Sequence, residues 1–139
     1  MTTVTEYASA ADVQVLLSAV SGTGVTFSAS SSPTLANVEV MVDQVAAEVD
    51  SVLRAAGYSA PVSGDNDKRL LERYVSQKAA AMAYHAAYGG FGDTPARVAQ
   101  WEEEYNAFIA RIADKSQGLI DASPARGRMG VVYVGRYTG

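Results

Sequence analysis

His85 is the one histidine in the chain, and Tyr84 and Tyr88 lie beside it at helical spacing. A general base needs a nucleophile or an orienting carboxylate in reach, and nothing near His85 in the sequence is spaced to supply one. It therefore reads as a packed or half-exposed helix residue. Cysteine is absent, which excludes thiolate catalysis, disulfides and cysteine-based zinc sites. Glu39 and Asp43 stand four apart, a spacing that puts two carboxylates on one helix face. Without a histidine or a second carboxylate pair they make an incomplete cation site. Trp101, Tyr105 and Phe108 have the residue types of a base-stacking platform, but their helical spacing fits a core stripe better. Glu102, Glu103 and Glu104 read as a solvated face.

The glycine groups carry no phosphate chemistry. Gly22-Thr23-Gly24 and Gly89-Gly90-Phe91-Gly92 lack the strand, loop, helix and lysine that a phosphate cradle needs. Arg126-Gly127-Arg128 is a weak nucleic-acid footprint on a chain of net charge −4. The expectation is a protein without catalytic residues, metal or cofactor.

Charge distribution is more informative than its sum. Residues 1–53 hold Glu6, Asp12, Glu39, Asp43, Glu48 and Asp50 but no lysine or arginine. Residues 122–139 hold Arg126, Arg128 and Arg136 but no acid. Complementary patches of this kind fix register between subunits and suppress wrong pairings. No run is long enough to cross a bilayer, and the first dozen residues lack a basic head and an apolar segment, so a soluble intracellular product is expected.

The elements that must position these residues are helices. Residues 8–20 form a short first helix, with Ser9 as cap and Val13, Leu16, Leu17 and Val20 as its apolar face. Residues 21–32 are a serine- and glycine-rich loop in which Val25 and Phe27 alternate with polar residues, as in a short edge strand. The longest and best delimited helix is expected next. Ser32 caps it, Pro33 takes its first position and Gly57 closes it. Leu35, Val38, Val42, Val45, Val49, Val52 and Leu53 form its core stripe. Glu39, Asp43, Glu48 and Asp50 form an acidic strip opposite.

A third helix over 67–88, capped by Asp65 or Asn66, carries Leu70, Leu71, Tyr74, Val75, Ala79, Met82 and Ala86 inward. Lys68, Arg69 and Arg73 fall in its first turns, the wrong sign for the helix dipole. That points to use of these cations elsewhere, against the acidic strip of a neighbouring subunit. Thr94 and Pro95 start a fourth helix reaching about Lys115, with Val98, Trp101, Tyr105, Phe108, Ile109 and Ile112 inward. After an irregular stretch, Val131, Val132, Tyr133, Val134, Gly135, Arg136 and Tyr137 give the only convincing strand signal. Such a strand must pair with the Val25–Phe27 stretch or with another molecule. The predicted architecture is all-α: four helices within residues 1–118, with a long second helix, followed by an extended arm over 119–139 containing a short β-strand.

This order of elements resembles the head–tail connector (adaptor) proteins of long-tailed bacteriophages. The likeness runs from residue 9 to about 115 and rests on DVQVLL, the Ser/Gly loop, PTLANVEVMVDQVAAEVDSVLRAAGY and LLERYVSQKAAAMAYHAAYG. It implies a ring of about twelve copies beneath the portal at the capsid vertex, extending the DNA channel toward a tail-side stopper or completion protein. The arm, through Met129, Val131, Val132, Tyr133, Val134, Arg136 and Tyr137, would dock on the portal. The loop with Gly22, Thr23, Gly24, Val25 and Phe27 would line the channel or meet the next ring. Glu39, Asp43, Lys68, Arg69 and Arg73 would lie between subunits. An acidic wall lets genomic DNA pass without specific binding. The location implied is the virion, and the host cytoplasm during assembly, with no membrane. The alternatives are another ring of the same particle, a stopper or terminator, and a small helical regulatory or DNA-binding protein.

Overall fold

The computed structural model describes residues 7–22, 24–62, 64–88 and 94–114. The arm expected at 119–139, with its strand residues, and Thr23 lie outside them. The described residues form four helices and no strand: α1 (Ala10–Ser21), α2 (Leu35–Ala56), α3 (Asp65–Tyr88) and α4 (Ala96–Ala113).

α3 is the axis of the fold. It packs against all three other helices, and α2 lies along both α1 and α4. The reason is in its middle, where Ala79, Ala80 and Ala81 are all fully buried. Successive helix residues point about 100° apart, so three buried in a row require neighbours on several sides. Alanine permits that close approach. The single-stripe expectation for this helix is corrected accordingly: Ala83 is buried, whereas Ala86 faces outward. α3 is also the longest helix, at 24 residues against 22 for α2.

The stripes of α2 and α4 hold except at Leu35, which stands exposed in the first turn of α2. Val38, Val42, Val45, Val49 and Leu53 meet Val98, Trp101, Tyr105, Phe108 and Ile112 in one core with Leu71, Tyr74 and Val75 of α3. Tyr74 and Phe108 stack with ring centroids 4.1 Å apart and planes 9° from parallel.

Helix ends follow local chemistry, with three departures from expectation. Ser9 does cap α1: the Asp12 N–H donates to Ser9 Oγ at 3.4 Å, and the Ser9 N–H donates to Asp12 Oδ2 at 2.9 Å. Gly57 closes α2 at φ 98°. At the start of α2, however, Thr34 is the cap instead of Ser32, because its hydroxyl reaches the Asn37 N–H at 3.2 Å. Pro33 belongs to the preceding loop, where its carbonyl accepts from Ser31 Oγ at 2.6 Å. α3 begins at Asp65, two residues early, with the Lys68 N–H donating to the Gly64 carbonyl at 2.9 Å. Asp65 and Asp67 thus occupy its first turn and favour the dipole, which removes the wrong-sign argument for Lys68 and Arg69. Pro95, and not Thr94, is the residue at the start of α4, and no side chain caps that end.

The edge strand expected at Val25 and Phe27 is extended chain without a ladder. The Val25 N–H donates to Ser18 Oγ at 2.9 Å and the Phe27 N–H to Gln14 Oε1 at 2.8 Å. Side chains of α1 therefore take the donors that a strand partner would use, and Phe27 is buried.

Candidate assembly surface

Two kinds of polar region meet on α3. The first is the seam with α4. Arg73 Nη2 lies 3.7 Å from Glu104 Oε1, Lys78 Nζ lies 4.0 Å from Glu102 Oε2, and His85 Nε2 lies 3.4 Å from Glu102 Oε1. Glu102 and Glu104 are half-buried, not simply solvated. His85 has a carboxylate partner that its sequence neighbours do not reveal, because Glu102 is a full helix away. Just below, the Tyr105 hydroxyl donates to the Glu48 carboxylate of α2. Burial first, and then that hydrogen bond, push the Tyr105 phenol well above its ordinary value of 10.0. Trp101, Tyr105 and Phe108 are core residues, which leaves no exposed stacking platform there.

A second satisfied cluster lies at the chain's entry. The Tyr7 hydroxyl donates to Asp50 Oδ1 at 2.7 Å and accepts from the Val62 N–H at 2.7 Å. Asp50 is only 2% exposed. It therefore does not belong to the acidic strip of α2; its carboxylate is turned into the core, where a hydroxyl donor awaits it. Burial, followed by the hydrogen bond to Asp50, raises the Tyr7 phenol in the same way. Periodicity alone did not mark Asp50, since its partner is 43 residues away.

The second kind of region is left open. Lys68 and Arg69 form no ion pair among the described residues, and neither do Glu39 and Asp43. Arg69 and Arg73 edge an open groove of about 350 Å³ between α1 and α3, with Asp12, Val15, Leu16, Glu72, Ser76 and Gln77 as its other walls. Ser76 Oγ and Gln77 Oε1 are buried there without a hydrogen-bond partner among the described residues, an arrangement that costs about 1–3 kcal/mol per group. Val15 is 69% exposed at the mouth of the groove, and Val40 is 50% exposed on the outer face of α2 beside Glu39 and Asp43.

Both valines were within reach of a sequence reading. Each is a β-branched apolar residue standing off its helix's core stripe, one turned outward from Val13 and Leu17, the other from Val38 and Val42. The structure brings Arg69 and Arg73 together on one rim and sets Lys68 beside them, near Tyr7, Asp65 and Glu72. Glu39 and Asp43 sit apart on α2. Gly22, Gly24, Val25 and Phe27 lie in the α1–α2 loop, of which Gly24, Val25 and Phe27 border a second cavity of about 270 Å³ with Tyr84 and Tyr88.

Among the described residues no group of three or more His, Asp or Glu side chains is placed to hold a metal ion, and no helix is long and apolar enough to cross a membrane. Comparison of the chain with family models, with curated proteins and with solved structures found no match.

Proposed function

We propose that this chain is a structural head–tail connector subunit of a long-tailed bacteriophage, forming a ring of about twelve copies beneath the portal. The observation that carries the reading is a division of charge: Glu39 and Asp43 on the outer face of α2 and Lys68 and Arg69 on α3 form no ion pair among the described residues, and Arg73 beside them reaches only Glu104, at 3.7 Å. A subunit flanked by copies of itself has a use for both faces. The order and text of the four helices, which resemble the connector family, supply the identity of the ring.

In this reading the arm at 119–139 docks on the portal through Met129, Val131, Val132, Tyr133, Val134, Arg136 and Tyr137. The engagement of the Val25 and Phe27 N–H groups by α1 supports an outward partner, because one edge of the in-chain alternative is already occupied. The α1–α2 loop lines the channel or meets a tail-side protein. Genomic DNA passes an acidic wall without specific binding, and the chain acts as a virion component with no catalytic role.

The test uses the full chain and the portal protein encoded by the same genome. The two should co-purify, and deletion of residues 129–139 should abolish the complex while far-ultraviolet circular dichroism stays unchanged. A chain that forms a tight dimer and ignores the portal would overturn the proposal. A deletion variant that still binds would remove the arm from it.

A further inference from the structure

We propose that the groove between α1 and α3 is the seat for the outer face of α2 from a second copy of this chain. The inference rests on the ring reading and deepens it, by naming which surface of one subunit meets which surface of the next.

The fit is chemical at three levels. Charge comes first. Arg69 and Arg73 stand four apart along the rim of the groove, and Glu39 and Asp43 stand four apart on α2. Both pairs therefore present two charges about one helical turn apart, on one face each. Lys68 and Arg69 have no ion pair among the described residues, and Arg73 reaches Glu104 only at 3.7 Å while its side chain is 59% exposed. Two acids share the groove. Asp12 is engaged by its own helix start, taking the Ser9 N–H and hydroxyl at 2.9 and 3.2 Å. Glu72, and Asp65 beside Lys68, are the remaining like charges, against the three cations Lys68, Arg69 and Arg73.

Apolar contact comes second. Val15 lines the groove that Arg69 and Arg73 edge, Val40 stands next to Glu39 on α2, and both are exposed β-branched residues. Bringing them together buries both, with the ion pairs as a rim around them. The third level is polar: Gln77, half-buried, lines the groove, and Gln44, exposed one residue after Asp43, carries an amide of the kind that pairs with another amide. A helix laid in a groove with such anchors is a common recognition mode.

The two patches are unlike, so the contact is head-to-tail. Each copy then offers a free groove at one end and a free α2 face at the other, and repetition closes a ring if the rotation allows.

The chain's lack of cysteine makes the test direct. V15C and V40C proteins, otherwise full-length, are mixed at high concentration and oxidised. The expected product is a V15C–V40C mixed disulfide, with each variant alone giving little, and the V15C/V40C double variant giving a ladder of multimers. Charge reversal R69E/R73E in the V15C chain should lower the mixed product at least tenfold, and E39K/D43K in the V40C chain should restore it. Restoration also shows that the reversed chains remain folded. Absence of the mixed disulfide, predominance of V15C–V15C, or reversal without effect overturns the contact. Rings or portal complexes that assemble without this disulfide leave the connector reading standing and remove this contact alone. Loss of the portal complex together with an intact V15C–V40C ladder does the opposite.

Discussion

The two flanks of α3 treat the same kinds of side chain in opposite ways. Toward α4, cations and carboxylates meet within the molecule: Arg73 with Glu104, Lys78 and His85 with Glu102, and Tyr105 with Glu48 one layer beneath. Toward α1, Lys68 and Arg69 reach no acid among the described residues, and buried Ser76 and Gln77 keep polar atoms without partners. The first flank is fold. The second is the surface that the proposed assembly would use. Charge density does not separate them, since both are rich in ions; what separates them is whether the opposite helix supplies the complement.

The contrast predicts a gradient of effects. The largest belongs to the core under the α3–α4 seam. Phe108 is fully buried and stacked on Tyr74, so F108A should destabilise the protein by about 3–5 kcal/mol, read as a shift of the denaturant midpoint. Next comes the entry cluster. Y7F removes one hydrogen bond to the buried Asp50 carboxylate and the acceptor of the Val62 N–H, and a loss of about 1–3 kcal/mol is expected in the same assay. A change under half a kcal/mol would show that the Tyr7 bridge is incidental.

A pH dependence follows from the two tyrosines. Both phenols are held protonated in the fold, while the unfolded chain releases the proton near pH 10. The folded state therefore binds more protons above that point, so the stabilisation is complete below about pH 10 and is lost as pH rises further. Each tyrosine contributes a slope of roughly 1.4 kcal/mol per pH unit. Unfolding titrations of wild type and Y105F from pH 9 to 11.5 should differ by about one such slope; parallel curves would contradict the assignment. The smallest effect on stability belongs to the open flank. R69E should change it by no more than about 0.5 kcal/mol, and a larger loss would place Arg69 in the fold instead of at an interface.

Much of the helical frame could be read from the chain because its signals are local. Ser9 with Asp12, Gly57, and the stripes at Val38–Leu53 and Val98–Ile112 depend on residues a turn or two apart. Readings failed where the deciding partner was distant or where several local signals competed. Asp50 looks solvent-facing until Tyr7 arrives from the chain start. At the start of α2, Ser32, Pro33 and Thr34 all carry start signals, and only the position of the Asn37 N–H chooses Thr34. The all-round burial of Ala79–Ala81 leaves no period to detect, because alanine is as compatible with a surface as with a crowded axis. The charges at Glu39, Asp43, Arg69 and Arg73 are visible in the sequence; that Glu104 of α4 takes Arg73, while Arg69, Glu39 and Asp43 form no ion pair among the described residues, depends on how the helices pack.

The proposal that this protomer completes itself in an assembly has a direct test. Native mass measurement of the full chain with the portal protein of its own genome tests it most directly. The expected result is a complex holding about twelve copies of the chain on one portal ring. A chain that stays monomeric or stops at a dimer, with the portal's mass unchanged, would contradict it.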